Sequence, residues 1–216
     1  MRALRFLFCT GALLLAADAH AKPIAFADGY TVMGEYGAGT MQEAQVFYAP
    51  QAWYSVGAGY LRIDAEDRSF SRNIPYLRAN YLVKRWNTRG AQANVFAYAG
   101  LGSATGSDFD GNKAAYNAGL QLDRESLRWY TSLKTDYQAS SAFSHRIDTL
   151  QLGVAPYKHD YTTLATWIVL QARDYTGGIR DGVETALLVR FFRGPLWLEG
   201  GVTADGKLQT MFMFNY

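Results

Sequence analysis

From Tyr30 onward, apolar and polar positions alternate along the chain with a period of two. In the stretch Leu127 to Gln138 one set reads Leu127, Trp129, Thr131, Leu133, Thr135, Tyr137, and the other Arg128, Tyr130, Ser132, Lys134, Asp136, Gln138. Residues 116–123 and 183–191 divide in the same way, and a helical period of 3.6 would mix the two sets. Turn-forming residues cut the pattern into segments near 30–39, 42–49, 52–63, 73–86, 91–104, 113–124, 126–138, 145–155, 161–174, 182–192, 195–203 and 207–216. The pattern predicts an all-β protein of about twelve antiparallel strands. No linker or second domain interrupts the rhythm.

Alternation alone fits a soluble periplasmic sandwich or ligand-binding barrel as well as a membrane barrel. Several segments run longer than the five or six residues usual in soluble strands and suit a tilted bilayer crossing of about 9–11 residues. Trp53, Tyr54, Trp86, Trp129, Tyr137, Tyr157, Tyr161, Tyr175 and Trp197 fall near segment ends, where an interfacial aromatic girdle is expected. The breaks on one side (39–41, 64–72, 105–112, 139–144, 175–181, 204–206) are longer on average than those on the other (50–51, 87–90, 125, 156–160, 193–194). A barrel with long outer loops and short inner turns shows this asymmetry. The prediction is therefore a transmembrane β-barrel over residues 22–216.

The first 21 residues change the picture by supplying an export route. Arg2 and Arg5 precede an apolar run from Phe6 to Ala17, and Ala19-His20-Ala21 is a small-residue cleavage site, the layout of a signal peptide. The run is shorter than the ~20 residues a spanning helix needs. Cleavage after Ala21 removes the single cysteine, Cys9, leaving no thiol for a disulfide or a thiolate metal site. It also removes Arg2, Arg5 and Asp18, so the remainder is close to neutral. Nucleic-acid binding, which needs a concentrated basic face, is not expected. Aromatics make up 15% of the residues, in keeping with a lipid-facing wall.

The leader, the strand-turn rhythm and the final segment together resemble the Gram-negative outer-membrane β-barrel proteins as a class. Members of that class end in a strand with Phe or Tyr last and apolar residues at alternating positions. Leu208, Phe212, Phe214 and Tyr216 match this, and Thr210 departs from it. The resemblance implies that the segment is an assembly signal read by the barrel-assembly machinery, and that outer-membrane lipid and lipopolysaccharide surround the protein.

Sorting by phase assigns a lumen. Its cations are Arg78, Lys84, Arg128, Lys134, Arg173, Arg190 and Lys207; its anions are Glu35, Glu43, Asp123, Asp136, Glu184 and Glu199. Near-balance predicts pairing within the interior, since an unpaired charge in a low-dielectric lumen is costly. Bulky residues of the same phase (Phe47, Phe96, Tyr98, Tyr130, Trp167, Trp197) argue against a wide pore. Two histidines follow the leader. His159 falls in a turn. His145 sits at the outer start of a strand near Ser140, Ser141, Ser144 and Asp148, but neighbouring strand residues face opposite ways, so Ser144 is not its partner. The loop Ser107 to Asn112 carries the first alternating carboxylates of a calcium loop without the rest of that pattern, and the acidic stretch Asp64 to Asp67 reads as a solvated loop or a divalent-cation contact with lipopolysaccharide. No cofactor or metal is implied. The expected function is non-enzymatic, a narrow small-solute channel or a closed structural barrel. The alternative is an outer-leaflet lipid or ester hydrolase or acyltransferase built on His145.

Overall fold

Antiparallel pairing of each strand with its sequence neighbour, and of the last with the first, builds the whole molecule. The structure, a computed structural model, describes residues 24, 26–158 and 163–216. The leader 1–21, the cleavage site, Tyr161 and His159 lie outside the described residues. The strands are β1 (Gly29–Gly37), β2 (Met41–Gln51), β3 (Tyr54–Asp64), β4 (Ser71–Thr88), β5 (Ala91–Gly106), β6 (Lys113–Ser126), β7 (Trp129–Ser140), β8 (Ser144–Val154), β9 (Ala165–Tyr175), β10 (Val183–Arg193), β11 (Leu196–Thr203) and β12 (Leu208–Asn215). Among the described residues these twelve form one closed antiparallel barrel, as the alternation predicts. No described helix is long and apolar enough to cross a membrane.

Closure is made by β1 against β12, with Val32 opposite Phe214 and Gly34 opposite Phe212. Tyr30 N–H donates to Tyr216 O at 2.7 Å and Tyr216 N–H to Tyr30 O at 3.0 Å, so both edges vanish and neither offers unpaired backbone. Following the register round the wall returns to β1 about 14 residues further on, the stagger that tilted strands need to close.

The two phases of each strand separate cleanly. Leu77, Leu101, Leu120, Leu133, Leu170, Leu187, Leu198 and Phe212 stand outward and exposed, whereas Arg190, Phe47, Phe96, Leu61 and Glu184 point inward and are fully buried. An apolar exterior around a charged interior inverts a soluble protein and fits a barrel whose solvent is lipid. Outward rings gather toward both ends: Tyr30, Tyr48, Trp53, Tyr81, Trp86, Trp129 and Tyr216 at the end holding the termini, and Tyr36, Tyr60, Tyr116 and Tyr137 at the other. Two members of the expected girdle belong elsewhere. Tyr175 and Trp197 are inward and buried, because their phase, not their nearness to a strand end, sets the face.

The observed ends differ from the expected boundaries most in two places. The turn expected at 125 lies at 127–128, so β7 starts at Trp129. The connection between β8 and β9 covers 155–164, longer than the predicted turn at 156–160, and β9 starts at Ala165.

Candidate functional site in the barrel lumen

Inward positions of the strands stack into three layers. At the end opposite the termini, the loop end, an apolar layer joins Ile63, Ile74, Tyr76, Ile147 and Tyr175 from the wall to Phe70, Phe143 and Ile179 from loops, with Phe109 packed against them. Each of these four loop residues belongs to a different connection: 65–70, 107–112, 141–143 and 176–182. They meet over the axis as a lid, with the Phe109 and Phe143 rings stacked at 5.8 Å.

Ion pairs hold the lid loops to one another. Arg180 Nη1 donates to Glu66 at 2.7 Å, and Arg180 also pairs with Asp205 and with the buried Glu184. Lys207 Nζ reaches the same Glu66 oxygen at 2.6 Å, and Arg72 binds Asp108 at 2.6 Å. The hydrogen bond from Arg180 holds the Asp205 carboxyl below the ordinary carboxylate range, and the one from Arg72 does the same for Asp108. Three carboxylates of the stretches that resemble a calcium site or a lipopolysaccharide contact are engaged with arginine and lysine: Asp108 with Arg72, Glu66 with Arg180 and Lys207, and Asp64 with Arg62 at 2.9 Å; Asp67 instead accepts from the Ser69 N–H.

Below the lid lies the charged layer. Arg78 pairs with Glu43 at 3.3 Å, Lys134 with Asp136 at 2.8 Å, Arg173 with Glu35 at 2.5 Å and Arg190 with Glu199 at 2.6 Å. These eight residues line a cavity of about 110 Å³ in the middle of the lumen. Three arginines lie between pairs of rings: Arg72 between Phe70 and Phe143, Arg78 between Tyr76 and Tyr98, and Arg190 between Tyr130 and Trp197, with centroid distances of 3.8–4.8 Å. Desolvated cation–π contacts of this kind contribute about 2 kcal/mol each. The inward glycines Gly59 and Gly119 make room for two of the rings, since a Cβ there would stand 2.3 Å from Tyr76 Cζ and 2.4 Å from Tyr98 Cζ.

A relay of amides connects the charged layer to the lid. Arg190 Nη2 donates to Gln151 Oε1 at 2.8 Å, Gln151 to Gln171 at 2.8 Å, Gln171 to Gln209 at 2.8 Å, and Gln209 to Glu184 Oε1 at 2.7 Å. Glu184 also accepts from Arg180 at the lid. At the end holding the termini, a third layer of Tyr130, Trp167, Leu188, Phe192, Trp197 and Met213 narrows the lumen, and Ile24 packs there against Ala49 and Phe96.

Of the residues assigned to the lumen by phase, Glu35, Glu43, Arg78, Asp123, Lys134, Asp136, Arg173, Glu184, Arg190 and Glu199 occupy inward positions. Three do not. A β-bulge between Leu82 and Lys84 sets Lys84 opposite the outward Val95, so it is exposed on the outer face. Arg85 takes the inward place and donates to Asn94 at 2.7 Å. Arg128 lies in the turn before β7, exposed, with its guanidinium on the Ala155 and Pro156 carbonyls. Lys207 lies in the connection before β12, among the lid loops. Arg72, within the break expected at 64–72, lies in β4 and faces inward, in phase with Ile74, Tyr76 and Arg78. Leu208, Phe212, Phe214 and Tyr216 all face outward.

His145 faces the lumen, not the outer surface. It is buried, its ring is stacked on Phe143 at 5.6 Å, and neither ring nitrogen has a protein partner. Ser144 stands exposed on the opposite face, so the His-based site that the sequence allowed is not assembled.

A closed antiparallel barrel with an apolar outer wall, aromatic rings toward both rims and a paired-charge lumen defines an integral β-barrel of the outer-membrane type. Among solved structures the chain is similar to the KdgM porin in complex with disordered oligogalacturonate, at 11% identity over 87% of this chain and 96% of that one, with a TM-score of 0.46. It is similar to a further structure of the KdgM porin (10% identity, the same coverage, TM-score 0.45) and to CdiB from Acinetobacter baumannii (9% identity, 87% of this chain and 59% of that one, TM-score 0.28). The fold is defined by the strand pairing itself. No protein-family model and no curated protein matches the chain.

Proposed function

We propose that the protein is a gated outer-membrane channel for small polar solutes, with the loop end facing the cell exterior and both ends of the barrel chain in the periplasm. In that setting the wall meets lipid and the loops meet lipopolysaccharide. The observation that carries the reading is the lid. The lumen beneath it is lined by amides and paired charges, yet its mouth is shut by Phe70, Phe109, Phe143 and Ile179, all on loops. Loops move on faster timescales and at lower cost than wall strands. The latch that fixes them is centred on Arg180, which pairs with the half-buried Glu66 and the exposed Asp205 on other loops and, more distantly, with the buried Glu184 of the wall; surface ion pairs of the first kind are weak.

Planar-bilayer recording tests this. Arg180→Ala releases two loop carboxylates and one wall carboxylate at once and is expected to raise open-channel events at least about tenfold, since a latch weakened by ~1.4 kcal/mol shifts a closed–open equilibrium by that factor. Folding is checked by heat-modifiable migration. A folded Arg180→Ala protein that is as silent as the unaltered one, even with Phe143→Asp added to break the lid, would establish a closed structural barrel in its place. That second reading draws its support from the apolar layer at the terminus end. Among the described residues His145 has no nucleophile or carboxylate within hydrogen-bonding distance.

A further inference from the structure

Charges on the outer wall differ between the two ends of the barrel. Toward the loop end Arg62 and Arg146 stand outward, and each binds the aspartate two residues on, Asp64 at 2.9 Å and Asp148 at 2.8 Å. Toward the end holding the termini, Lys84 on β4 and Arg124 on β6 also stand outward and exposed. Among the described residues neither of these two has a hydrogen-bond or ion-pair partner.

Lys84 reaches the outer face only through the bulge in β4. Without the extra residue between Leu82 and Lys84, the alternation would turn Lys84 into the lumen, where Arg85 now binds Asn94. Bulges at barrel rims re-aim side chains, and this one sets a cation on the lipid side. The register then brings it beside Arg124. Trp86 is opposite Ala93 and Ala93 opposite Arg124, while Lys84 is opposite Val95 and Val95 opposite Leu122. Lys84 and Arg124 thus flank β5 from strands about 10 Å apart, two strand spacings, with only Ala93 and Val95 between them. Two long side chains close on one group across that gap. Trp86 and Trp129, both exposed, lie beside it, and tryptophans of this kind sit at headgroup level. Deeper along the same face, Leu122 is opposite Leu133, and both are exposed.

A ligand that uses the whole patch has an anionic head for the two cations and an apolar tail for the leucines. The guanidinium fork of Arg124 matches two phosphate oxygens, and Lys84 adds a point charge. We propose that Lys84, Trp86 and Arg124 form a headgroup seat for an anionic phospholipid in the leaflet at the terminus end. Its phosphate lies between the two cations and its acyl chains run over Leu122 and Leu133. The seat requires the outer wall to meet lipid and does not depend on whether the barrel conducts.

Native mass spectrometry of the full chain tests it, with the protein released from detergent micelles that hold equal amounts of dioleoylphosphatidylglycerol and dioleoylphosphatidylcholine. The unaltered protein is expected to retain at least about threefold more of the anionic lipid, given the attraction of basic residues near a membrane surface for anionic headgroups. Lys84→Gln with Arg124→Gln, two changes on the exposed face, should cut the retained phosphatidylglycerol by at least about threefold. Arg62→Gln with Arg146→Gln, at the opposite rim, should leave it unchanged. Equal retention of the two lipids, an undiminished signal in folded Lys84→Gln, Arg124→Gln protein, or an equal loss in the Arg62→Gln, Arg146→Gln protein would overturn the seat. Displacement of the lipid by an equal concentration of inorganic phosphate would overturn it too, marking a plain anion site. The channel reading fails separately. Selective lipid retention by a barrel that never conducts refutes the channel and keeps the seat, while conductance without selective retention refutes the seat alone.

Discussion

Arg180 is the side chain that ties the loop end together. It joins Glu66 from one loop, Asp205 from another and Glu184 from the wall, and its own loop carries Ile179 into the lid. The pH response follows from the carboxyls it and Arg72 hold. Asp205 and Asp108 both lie below their ordinary value of 3.8. A depressed carboxyl contributes fully above the unfolded value and loses its contribution only as pH falls through the lower folded one. The lid is therefore expected to stay shut from pH 7 down to about pH 4 and to loosen only below that, read as open probability against pH in bilayers. The opposite trend, opening as pH rises from 5 to 8, would show that these pairs do not hold it. Deeper in, Arg190 and Glu199 are both buried. Arg190→Ala strands a carboxylate in the lumen and should cost about 3–5 kcal/mol, whereas Arg190→Met with Glu199→Leu should cost much less; the urea midpoint of the folded, slow-migrating species measures both. His145 and Arg78 were visible in the sequence as residues, but not their bare nitrogens. Whether a buried polar atom finds a partner depends on neighbours that come from other strands.

At the scale of the strand, period two assigned the face of nearly every residue, because successive side chains on a pleated strand point to opposite sides. Its failures have local causes. One extra residue at the bulge in β4 reverses the phase, which sends Lys84 out and Arg85 in. Arg128 and Lys207 escape the alternation because they lie in connections, where the pleat no longer applies. Glycine within a strand is the other feature whose meaning needed the partner strand. Gly59 sits under the Tyr76 ring, and Tyr76 in turn donates to Glu43 at 2.5 Å and covers Arg78. Gly59→Val is expected to displace that ring and lower stability by about 1–3 kcal/mol, the usual penalty for overpacking. Enlarging outward Val56 by one methylene, to Leu, should stay within ~0.5 kcal/mol, and paired urea titrations compare the two.

For the whole molecule, closure is the deciding event. β12 lies between β11 and β1, with Phe212 and Phe214 outward and Gln209, Met213 and Asn215 inward. Deleting Phe214 to Tyr216 removes the Tyr30–Tyr216 hydrogen bonds and the pairing of Val32 with Phe214, leaving β1 with an open edge inside the bilayer, where each unsatisfied backbone group costs several kcal/mol. The truncated protein is expected to reach the membrane fraction at a small fraction of the normal level, measured by outer-membrane fractionation, and to lack the heat-modifiable band. Alternation, turn residues and segment length, all local properties of the chain, were enough to determine twelve strands, two unlike faces and a wall whose outside is apolar. They act within a few residues, where the pleat fixes direction. The lid, the amide relay from Arg190 to Glu184 and the unpartnered imidazole of His145 beneath Phe143 were decided only by tertiary structure. Each joins residues from strands or loops far apart in sequence, and the stagger of a closed barrel, not any local pattern, sets which of them meet.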